Sequence, residues 1–359
     1  MEIKHIIGPI LAVIVFFILV YPIRRLANKV ALVDKPNHRK VHQNPIPLIG
    51  GITLFLSVCF TFLICIIFFD LQLQFVRDIF PASLILLILG VADDRFDIRA
   101  ILKLAIQLLL AHIVYMQGIK IESFFGLFGI YEIAEWLKYL LTVFVIAGVM
   151  NAFNLMDGID GLAGGMAILG FTAYAFLAYS INQYNFVFLF LIIIASLVSF
   201  LRFNLSKKKK IFMGDAGSLL LGFVLVVSAI KLIQLTQSTD NIQLIATGVI
   251  AVLIIPVFDS LRVYRKRLKS GKSPFSADKT HLHHLIIFTG LKHKNATLVI
   301  VLFMFIIISI GYISYEIIGI NIAIIAMLFI FYLVTQLLQF NNSINFWKEK
   351  IKTIEFKDK

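Results

Sequence analysis

The stretch NFVFLFLIIIASLVSFL, residues 185–201, contains no charged side chain, and it is followed at once by Arg202 and then by four lysines at 207–210. A helix needs about 20 mostly apolar residues to cross a bilayer. Since lipid cannot satisfy backbone polar groups, such a stretch is predicted to cross as an α-helix. The lysines that follow it predict a loop on the cytoplasmic side.

Ten further apolar runs flank this one. Hydrophobic residues make up 60% of the 359 residues and charged residues 15%, whereas a soluble domain is about half apolar. The predicted spans are 6–23, 48–69, 79–92, 101–117, 136–152, 162–180, 185–201, 216–235, 242–258, 297–315 and 318–340. The sequence therefore predicts an all-α, polytopic membrane helix bundle, with one transmembrane domain over residues 1–341 and a basic cytoplasmic tail over 342–359.

Positive charge is distributed unevenly among the connections. All but five of the 33 Lys and Arg residues fall at the odd-numbered connections, counting Lys103 at the start of the fourth span, or in the tail. Positive loops stay in the cytoplasm, so the N-terminus is predicted outside and the C-terminus inside. Topology and attraction to anionic membrane lipid explain the net charge of +13, so no nucleic-acid partner is expected. Two cysteines, both in the second run, exclude a disulfide framework.

Polar residues gather in five clusters on the predicted cytoplasmic side. They are DKPNHRKVHQNPIPLIGG (34–51), ADDRFDIRA (92–100), NAFNLMDGIDGLAGG (151–165), FMGDAGSLLLG (212–222) and DSLRVYRKRLKSGKSPFSADKTHLHH (259–284). Lipid penalises ionisable groups, so such clusters beside the spans predict function. A multi-span transporter is the alternative of another class. It should carry its ionisable groups near the midplane, where His112 is the main interruption here.

The second cluster places Asp93 beside Asp94 at the end of a short run. Adjacent carboxylates repel unless a cation or proton compensates them. Mg²⁺ fits, since it prefers carboxylate oxygens, water and substrate phosphates. The alternative is a solvated acidic loop with Arg95 and Arg99 as partners.

The third cluster spaces four polar side chains three residues apart, and glycines follow its two acids: Asn151, Asn154, Asp157, Gly158, Asp160 and Gly161. The glycines predict that a helix ends and another begins here, which exposes backbone donors. In the fourth cluster Asp215 opens a span. A helix start there could receive phosphate and hold its metal, or Asp215 could simply cap the helix.

The fifth cluster combines basic residues at 262–272, predicted to form an amphipathic helix on the membrane, with three histidines. His281, His283 and His284 could contact phosphate, which we prefer, or bind zinc together with Asp278. Several carboxylates and cations without a thiol nucleophile favour metal-assisted phosphoryl transfer at the membrane surface.

Taken in order, the five motifs resemble the polyprenyl-phosphate N-acetylhexosamine-1-phosphate transferases, of glycosyltransferase family 4. The resemblance implies a Mg²⁺-dependent enzyme, with Mn²⁺ as a substitute, in the bacterial inner membrane. It would transfer N-acetylhexosamine 1-phosphate from the UDP-sugar to undecaprenyl phosphate, releasing UMP on the cytoplasmic side. His-Leu-His-His at 281–284 resembles the branch that uses UDP-GlcNAc. The alternative within the family is the phosphotransferase acting on UDP-MurNAc-pentapeptide, and a homodimer is left open.

The resemblance also implies residue roles. The catalytic residues would be Asp93, Asp94, Asp157 and His281, and the metal ligands Asp215 and Asp94. The nucleotide-sugar site would comprise Asn151, Asn154, Asp157, Asp160, Phe212, Arg262, His281, His283 and His284. Asp94 is also the candidate nucleophile of a covalent alternative. One departure lies between Asn204 and Phe212, where LSKKKKI replaces the Pro-Ala pair that is usual in the family and adds one residue.

Overall fold

The computed structural model describes residues 4–36, 44–69, 74–236, 241–273 and 280–355, with side chains as far as residue 344. Its helices are α1 (Lys4–Lys29), α2 (Gly50–Phe69), α3 (Gln74–Phe96), α4 (Ala100–Met116), α5 (Glu135–Met156), α6 (Leu162–Ser180), α7 (Tyr184–Asn204), α8 (Gly214–Gln234), α9 (Ile242–Lys269), α10 (Leu282–Ile287), α11 (His293–Ile318) and α12 (Ile320–Glu355). Two short strands, β1 (Val33–Asp34) and β2 (Ile46–Pro47), pair antiparallel between α1 and α2.

Within the described ranges, ten helices are long and apolar enough to cross a membrane, and α4 is a shorter apolar helix of 17 residues. Together they match the eleven apolar runs of the sequence. The prediction of an all-α, multi-pass membrane protein is therefore confirmed. The orientation of the termini and the boundary between bundle and tail stay predictions.

Two differences from the predicted spans bear on the candidate site. Helix α3 has 23 residues because polar groups at both ends, Asp78 at one and the Asp93–Asp94 pair at the other, are inside the helix. Helix α9 continues to Lys269, so most of the basic residues expected in a separate surface helix extend a span instead. On this extension, Asp259 and Arg262 contact the segment at residues 280–282, which joins the extension to the histidine segment.

Helix α8 is the most deeply buried candidate span and packs against α2, α3 and α5. Small residues allow these contacts. A Cβ atom at Gly51 would overlap the backbone of Gly217, and one at Gly90 would overlap the backbone of Ala216. Such residues let membrane helices approach closely. As a result, the acidic end of α3 lies beside the first turn of α8.

Candidate active site

Asp94 binds the first turn of α8. Its Oδ1 accepts a hydrogen bond from the backbone N–H of Asp215 at 2.8 Å, and its Oδ2 accepts one from Ala216 at 3.4 Å. N–H groups at a helix start lack partners within the helix and carry partial positive charge, so a carboxylate is stabilised there. Gly214, with φ +73°, lies so close that a Cβ atom would overlap the Asp94 carboxylate. Asp94 thus fixes α8 to α3, and Asp215 does not cap its own helix.

Lys103 of α4 is the counter-charge of Asp93 and Asp215. Its Nζ lies 2.5 Å from Asp93 Oδ2 and 3.5 Å from Asp215 Oδ2. The Asp93 side chain is 3% exposed, and its Oδ1 accepts the N–H of Ile98 at 2.8 Å. The Asp215 side chain is 36% exposed. Asp93 is therefore held by protein groups, whereas Asp215 is accessible. The cation beside both is Lys103, whereas Arg95 and Arg99 were partners only in the alternative of a solvated acidic loop.

The end of α5 brings two further residues to Asp215. Asn154 Nδ2 donates to Asp215 Oδ1 at 3.1 Å and to Ser218 Oγ at 2.8 Å. Asp157 follows α5 directly, and its carboxylate accepts no hydrogen bond from the residues that the structure describes. Burial raises the pKa of Asp157 to about 7, and the negative charges of Asp215 and Asp160 act in the same direction. The site thus has an excess of carboxylate that a cation would compensate.

Two residues of the same motif contact other partners. Asn151 Nδ2 donates to the buried Gln107 Oε1 at 2.5 Å, which joins α5 to α4. Asp160 Oδ2 forms an ion pair with Lys210 Nζ at 2.6 Å, and this ammonium lies 5.2 Å from the centre of the Phe212 ring. Asp160 and Phe212 are therefore linked through Lys210, whereas Asn151 is held by the helix packing.

The helix break predicted in this motif is confirmed. Helix α5 ends at Met156 and α6 begins at Leu162, with Gly161 at φ +79° between them. The N–H of Gly161 donates to Asn204 Oδ1 at 2.7 Å, and Asn204 Nδ2 donates to the carbonyl of Ile211 at 2.9 Å. Asn204 thus ties the break to the lysine-containing segment where the chain departs from its family pattern.

A buried carboxylate orders the histidine segment. Asp259 is fully buried, and its Oδ2 lies 2.9 Å from His281 Nδ1. Arg262 donates to Asp259 Oδ1 at 2.6 Å and to the carbonyl of Thr280 at 2.5 Å. The N–H of Leu282 also donates to this carboxylate. Asp259 therefore fixes the orientation of the His281 ring and leaves its Nε2 without a partner in the described structure.

His283 connects this segment to the helix break. A Cβ atom at Gly158 would overlap His283 Nε2, so the ring lies directly against that glycine. Burial, together with the charges of His284 and His281, lowers the pKa of His283 to about 3. The His283 and His284 ring centres are 4.2 Å apart. A neutral His283 therefore packs against the segment that carries Asp157.

The side chains of the site limit which metal ion it could hold. Among the residues the structure describes, no three His, Cys, Asp or Glu side chains converge as a metal site. Asp278, the fourth ligand of the zinc hypothesis, lies outside them. Mg²⁺ needs only one or two carboxylates, with water and phosphate completing its shell. Asp215 and Asp157 suit this requirement, while both oxygens of Asp94 are already engaged by backbone donors.

Comparison with known proteins addresses the class of enzyme. A sequence model of glycosyl transferase family 4 matches residues 77–233. The chain is also similar to the undecaprenyl-phosphate alpha-N-acetylglucosaminyl 1-phosphate transferase of Yersinia pestis, with 34% identity covering 81% of this chain and 79% of that protein. The chain belongs to glycosyl transferase family 4.

Two other relatives of this family 4 chain carry the same name. The Haemophilus influenzae protein is 36% identical, covering 79% of each chain. The Escherichia coli K12 protein is 31% identical, covering 80% of this chain and 78% of its own. The chain is therefore a glycosyl-1-phosphate transferase, and the family resemblance read from its motifs is confirmed.

Three residues of the family 4 site were missed in the sequence. Lys103 is a single charge at the start of an apolar run, and Ser218 lies in the fourth cluster without a predicted role. Asp259 opens the fifth cluster but had no role. Each contacts a predicted site residue from another helix, so packing alone reveals it. In the sequence, each of these three residues is a polar residue at the boundary of an apolar run, and this position is the signal that could have identified it.

Gly158→Ala tests the contact with His283. The added methyl group must displace the imidazole ring, so we expect at least a tenfold fall in transferase kcat with normal folding. Gly165→Ala is the matched control, because its methyl group would meet only one side-chain atom, Val301 Cγ2, at 3.0 Å. Steady-state rates of the two variants check this. Equal activity in both would contradict a role for the His283 position.

Proposed function

We propose that this chain transfers N-acetylglucosamine 1-phosphate from UDP-GlcNAc to undecaprenyl phosphate and releases UMP, at the cytoplasmic face of the bacterial inner membrane. The observation that carries the proposal is the convergence of Asp215, Asp157 and Lys103 at the start of α8. The names of the relatives support this donor over UDP-MurNAc-pentapeptide. Lys and Arg residues on the connections beside the site support the cytoplasmic side.

Magnesium suits the carboxylates of this site. Asp215 and Asp157 would hold the ion, which when bound neutralises the diphosphate of the donor. Lys103 lies 3.5 Å from one Asp215 oxygen and supplies its counter-charge, and Asn154 donates to the other Asp215 oxygen. Because Asp94 holds the first turn of α8, the position of Asp215 is set before substrate arrives. This fixed arrangement favours phosphoryl transfer, which depends on positioning and charge neutralisation.

The attacking group is an oxygen of the lipid phosphate. A phosphate monoester has a second pKa of about 6, so it is largely ionised near neutral pH and needs no general base. The new bond joins this oxygen to the sugar-linked phosphorus. The bond from that phosphorus to the bridging oxygen breaks, and UMP leaves with the electron pair. The backbone contacts of Asp94 support direct transfer over a covalent intermediate on this residue.

The histidine segment would bind the donor. His281 presents a buried Nε2 without a partner in the described structure, and Asp259 orients the ring by its other nitrogen. An imidazole N–H held in this way can donate to a phosphate oxygen. Arg262, next to the same carboxylate, adds positive charge. Phe212, beside the ammonium of Lys210, would lie against the uracil ring.

The tail of the acceptor would lie in an apolar groove between α5 and α9. This cavity of about 460 Å³ is lined only by apolar residues, among them Phe144, Gly148 and Leu261. Helix α5 carries Asn154 at the site end of the groove, and Leu261 is followed directly by Arg262. An isoprenoid in the groove would therefore direct its phosphate toward the carboxylates of the site.

Gly148→Leu tests this groove. No atom lies within 4 Å of a Cβ placed at Gly148, so the variant should fold normally while its side chain fills the groove. We expect the KM for undecaprenyl phosphate to rise about tenfold, with the KM for UDP-GlcNAc unchanged. Gly148→Ala, which adds only a methyl group, is the control and should leave both KM values unchanged. A variant with both KM values at the wild-type level would show that the acceptor binds elsewhere.

The proposed reaction is tested with purified protein, undecaprenyl phosphate and Mg²⁺. A panel of UDP-sugars, which includes UDP-GlcNAc and UDP-MurNAc-pentapeptide, is added one at a time. The mass of the lipid product is measured by mass spectrometry. We expect undecaprenyl-diphosphate-GlcNAc from UDP-GlcNAc and no product when EDTA replaces Mg²⁺. A product only from the pentapeptide donor would select the alternative within the family. The absence of any lipid product would contradict the proposed reaction.

A further inference from the structure

A second cavity, of about 310 Å³, lies between the ends of α1 and α7. None of the carboxylates or histidines of the active site lines it. Phe17, Tyr21 and Phe203 form one wall, with Phe17 and Phe203 ring centres 5.5 Å apart. Phe17 is 38% exposed and Tyr21 43% exposed. The cavity therefore has an apolar wall that continues onto the outer surface of α1.

The opposite wall is strongly basic. It consists of Arg202, Lys207, Lys208 and Lys209. Among the described residues, no carboxylate lies within ion-pair distance of these four side chains. Lys209 Nζ lies 5.3 Å from the centre of the Tyr21 ring. Four cations around one cavity, with no counter-charge from the described part of the chain, indicate an anionic ligand.

Lys210 differs from the three lysines before it, because its ammonium pairs with Asp160 in the active site. The lysine segment therefore has two separate sides. Lys210 belongs to the active site, and residues 207–209 belong to the second cavity. This division allows the cavity to be tested without changing a residue of the active site.

The depth of the cavity matches the edge of the lipid hydrocarbon. Along α1, Tyr21 lies about 26 Å from Lys4 at 1.5 Å per residue. Phe203 lies at a similar depth along α7, whose beginning packs against the beginning of α1 through Phe188 and His5. The hydrocarbon core of a bilayer is about 30 Å thick. The four cations are thus placed where the phosphates of membrane lipids lie.

We propose that this cavity binds the phosphate headgroup of an anionic phospholipid. The basic wall would hold the phosphate, and the acyl chains would lie along the exposed face of α1, which includes Ile10, Ile14 and Ile18. A soluble anion would use the cations but leave the aromatic wall and this apolar face uncovered. The combination of a basic wall, an aromatic wall and an open apolar helix face therefore favours a lipid.

The test is a lipid titration of the delipidated full-length protein, in which bound lipid is detected by native mass spectrometry. The probes are phosphatidylglycerol and, as the zwitterionic comparison, phosphatidylcholine. The variant K207Q/K208Q/K209Q removes three cations of the cavity. The control R265Q/K266Q/K269Q removes the same charge from the exposed part of α9. Basic residues at a lipid surface contribute about fivefold each, so we expect at least tenfold weaker phosphatidylglycerol binding in the first variant and less than twofold in the control.

Several outcomes would overturn the proposal. These are equal retention of the two lipids by the wild type, equal weakening in both variants, or displacement of phosphatidylglycerol by undecaprenyl phosphate or by UDP. Displacement by undecaprenyl phosphate would assign the cavity to the acceptor, and displacement by UDP would assign it to the donor. If the triple variant does not fold, R202Q alone should weaken phosphatidylglycerol binding about fivefold. The donor panel assay is independent of this result, so the two proposals fail separately.

Discussion

Asp215→Asn is expected to lower the transferase rate by roughly 10²–10³ while the protein still inserts and folds. Asp215 is the accessible carboxylate of the site, with one oxygen bonded to Asn154 and the other facing Lys103. The amide keeps the size of the side chain but loses the charge that Mg²⁺ and Lys103 require. The measurement is the initial rate of UMP release at saturating donor and acceptor.

The matched control is Asp97→Asn. Asp97 lies in the same acidic motif, is exposed, and has φ +52°, a left-handed conformation that asparagine also tolerates. The Asp97→Asn substitution removes the same charge beside the same site but from an exposed side chain, so we expect an activity within twofold of wild type. Wild-type activity in the Asp215 variant, or equal losses in both variants, would remove Asp215 from the proposed metal site.

Asp259→Ala is expected to have the largest effect on stability. The variant leaves Arg262, the ring of His281 and the N–H of Leu282 without their common acceptor, the buried Asp259 carboxylate. Breaking a buried, hydrogen-bonded charge pair costs about 3–5 kcal/mol. We expect a clear fall in melting temperature in detergent, together with loss of activity because His281 is no longer oriented.

Glu135→Ala is the comparison for this variant. Glu135 also contacts two cations, Lys120 and Lys138, but its side chain is 61% exposed. Exposed ion pairs contribute little to stability, so its melting temperature should stay close to wild type. Similar melting temperatures for the two variants would show that Asp259 does not organise the histidine segment.

The sequence predicted most of the fold, because apolar runs of bilayer length have few alternatives. Its errors lie where polar residues belong to a span. Asp93 and Asp94 suggested the end of a span, and they lie inside the last turn of α3 rather than beyond it, where Lys103 and the start of α8 provide partners. The basic end of α9 suggested a separate surface helix, but it is held in the bundle through Asp259.

The site was predictable as a set of motifs but not as a set of contacts. The glycines around Asp157 predicted the break between α5 and α6, which is a local property of the chain. By contrast, the contacts of Lys103 with Asp215 and of Gly158 with His283 join residues more than 100 positions apart. Such pairs depend on how the helices pack, for example on the packing of α8 against α2, α3 and α5. No local sequence pattern specifies this packing.

The central claim is that a sugar phosphate, rather than the sugar alone, moves to the lipid. It is tested most directly with UDP-GlcNAc that carries ³²P in its sugar-linked phosphate. After incubation with undecaprenyl phosphate and Mg²⁺, the lipid is extracted and its radioactivity measured. The proposed reaction predicts label in the lipid and unlabelled UMP in the aqueous phase. Label that remains in aqueous UDP, with an unlabelled glycolipid, would contradict it.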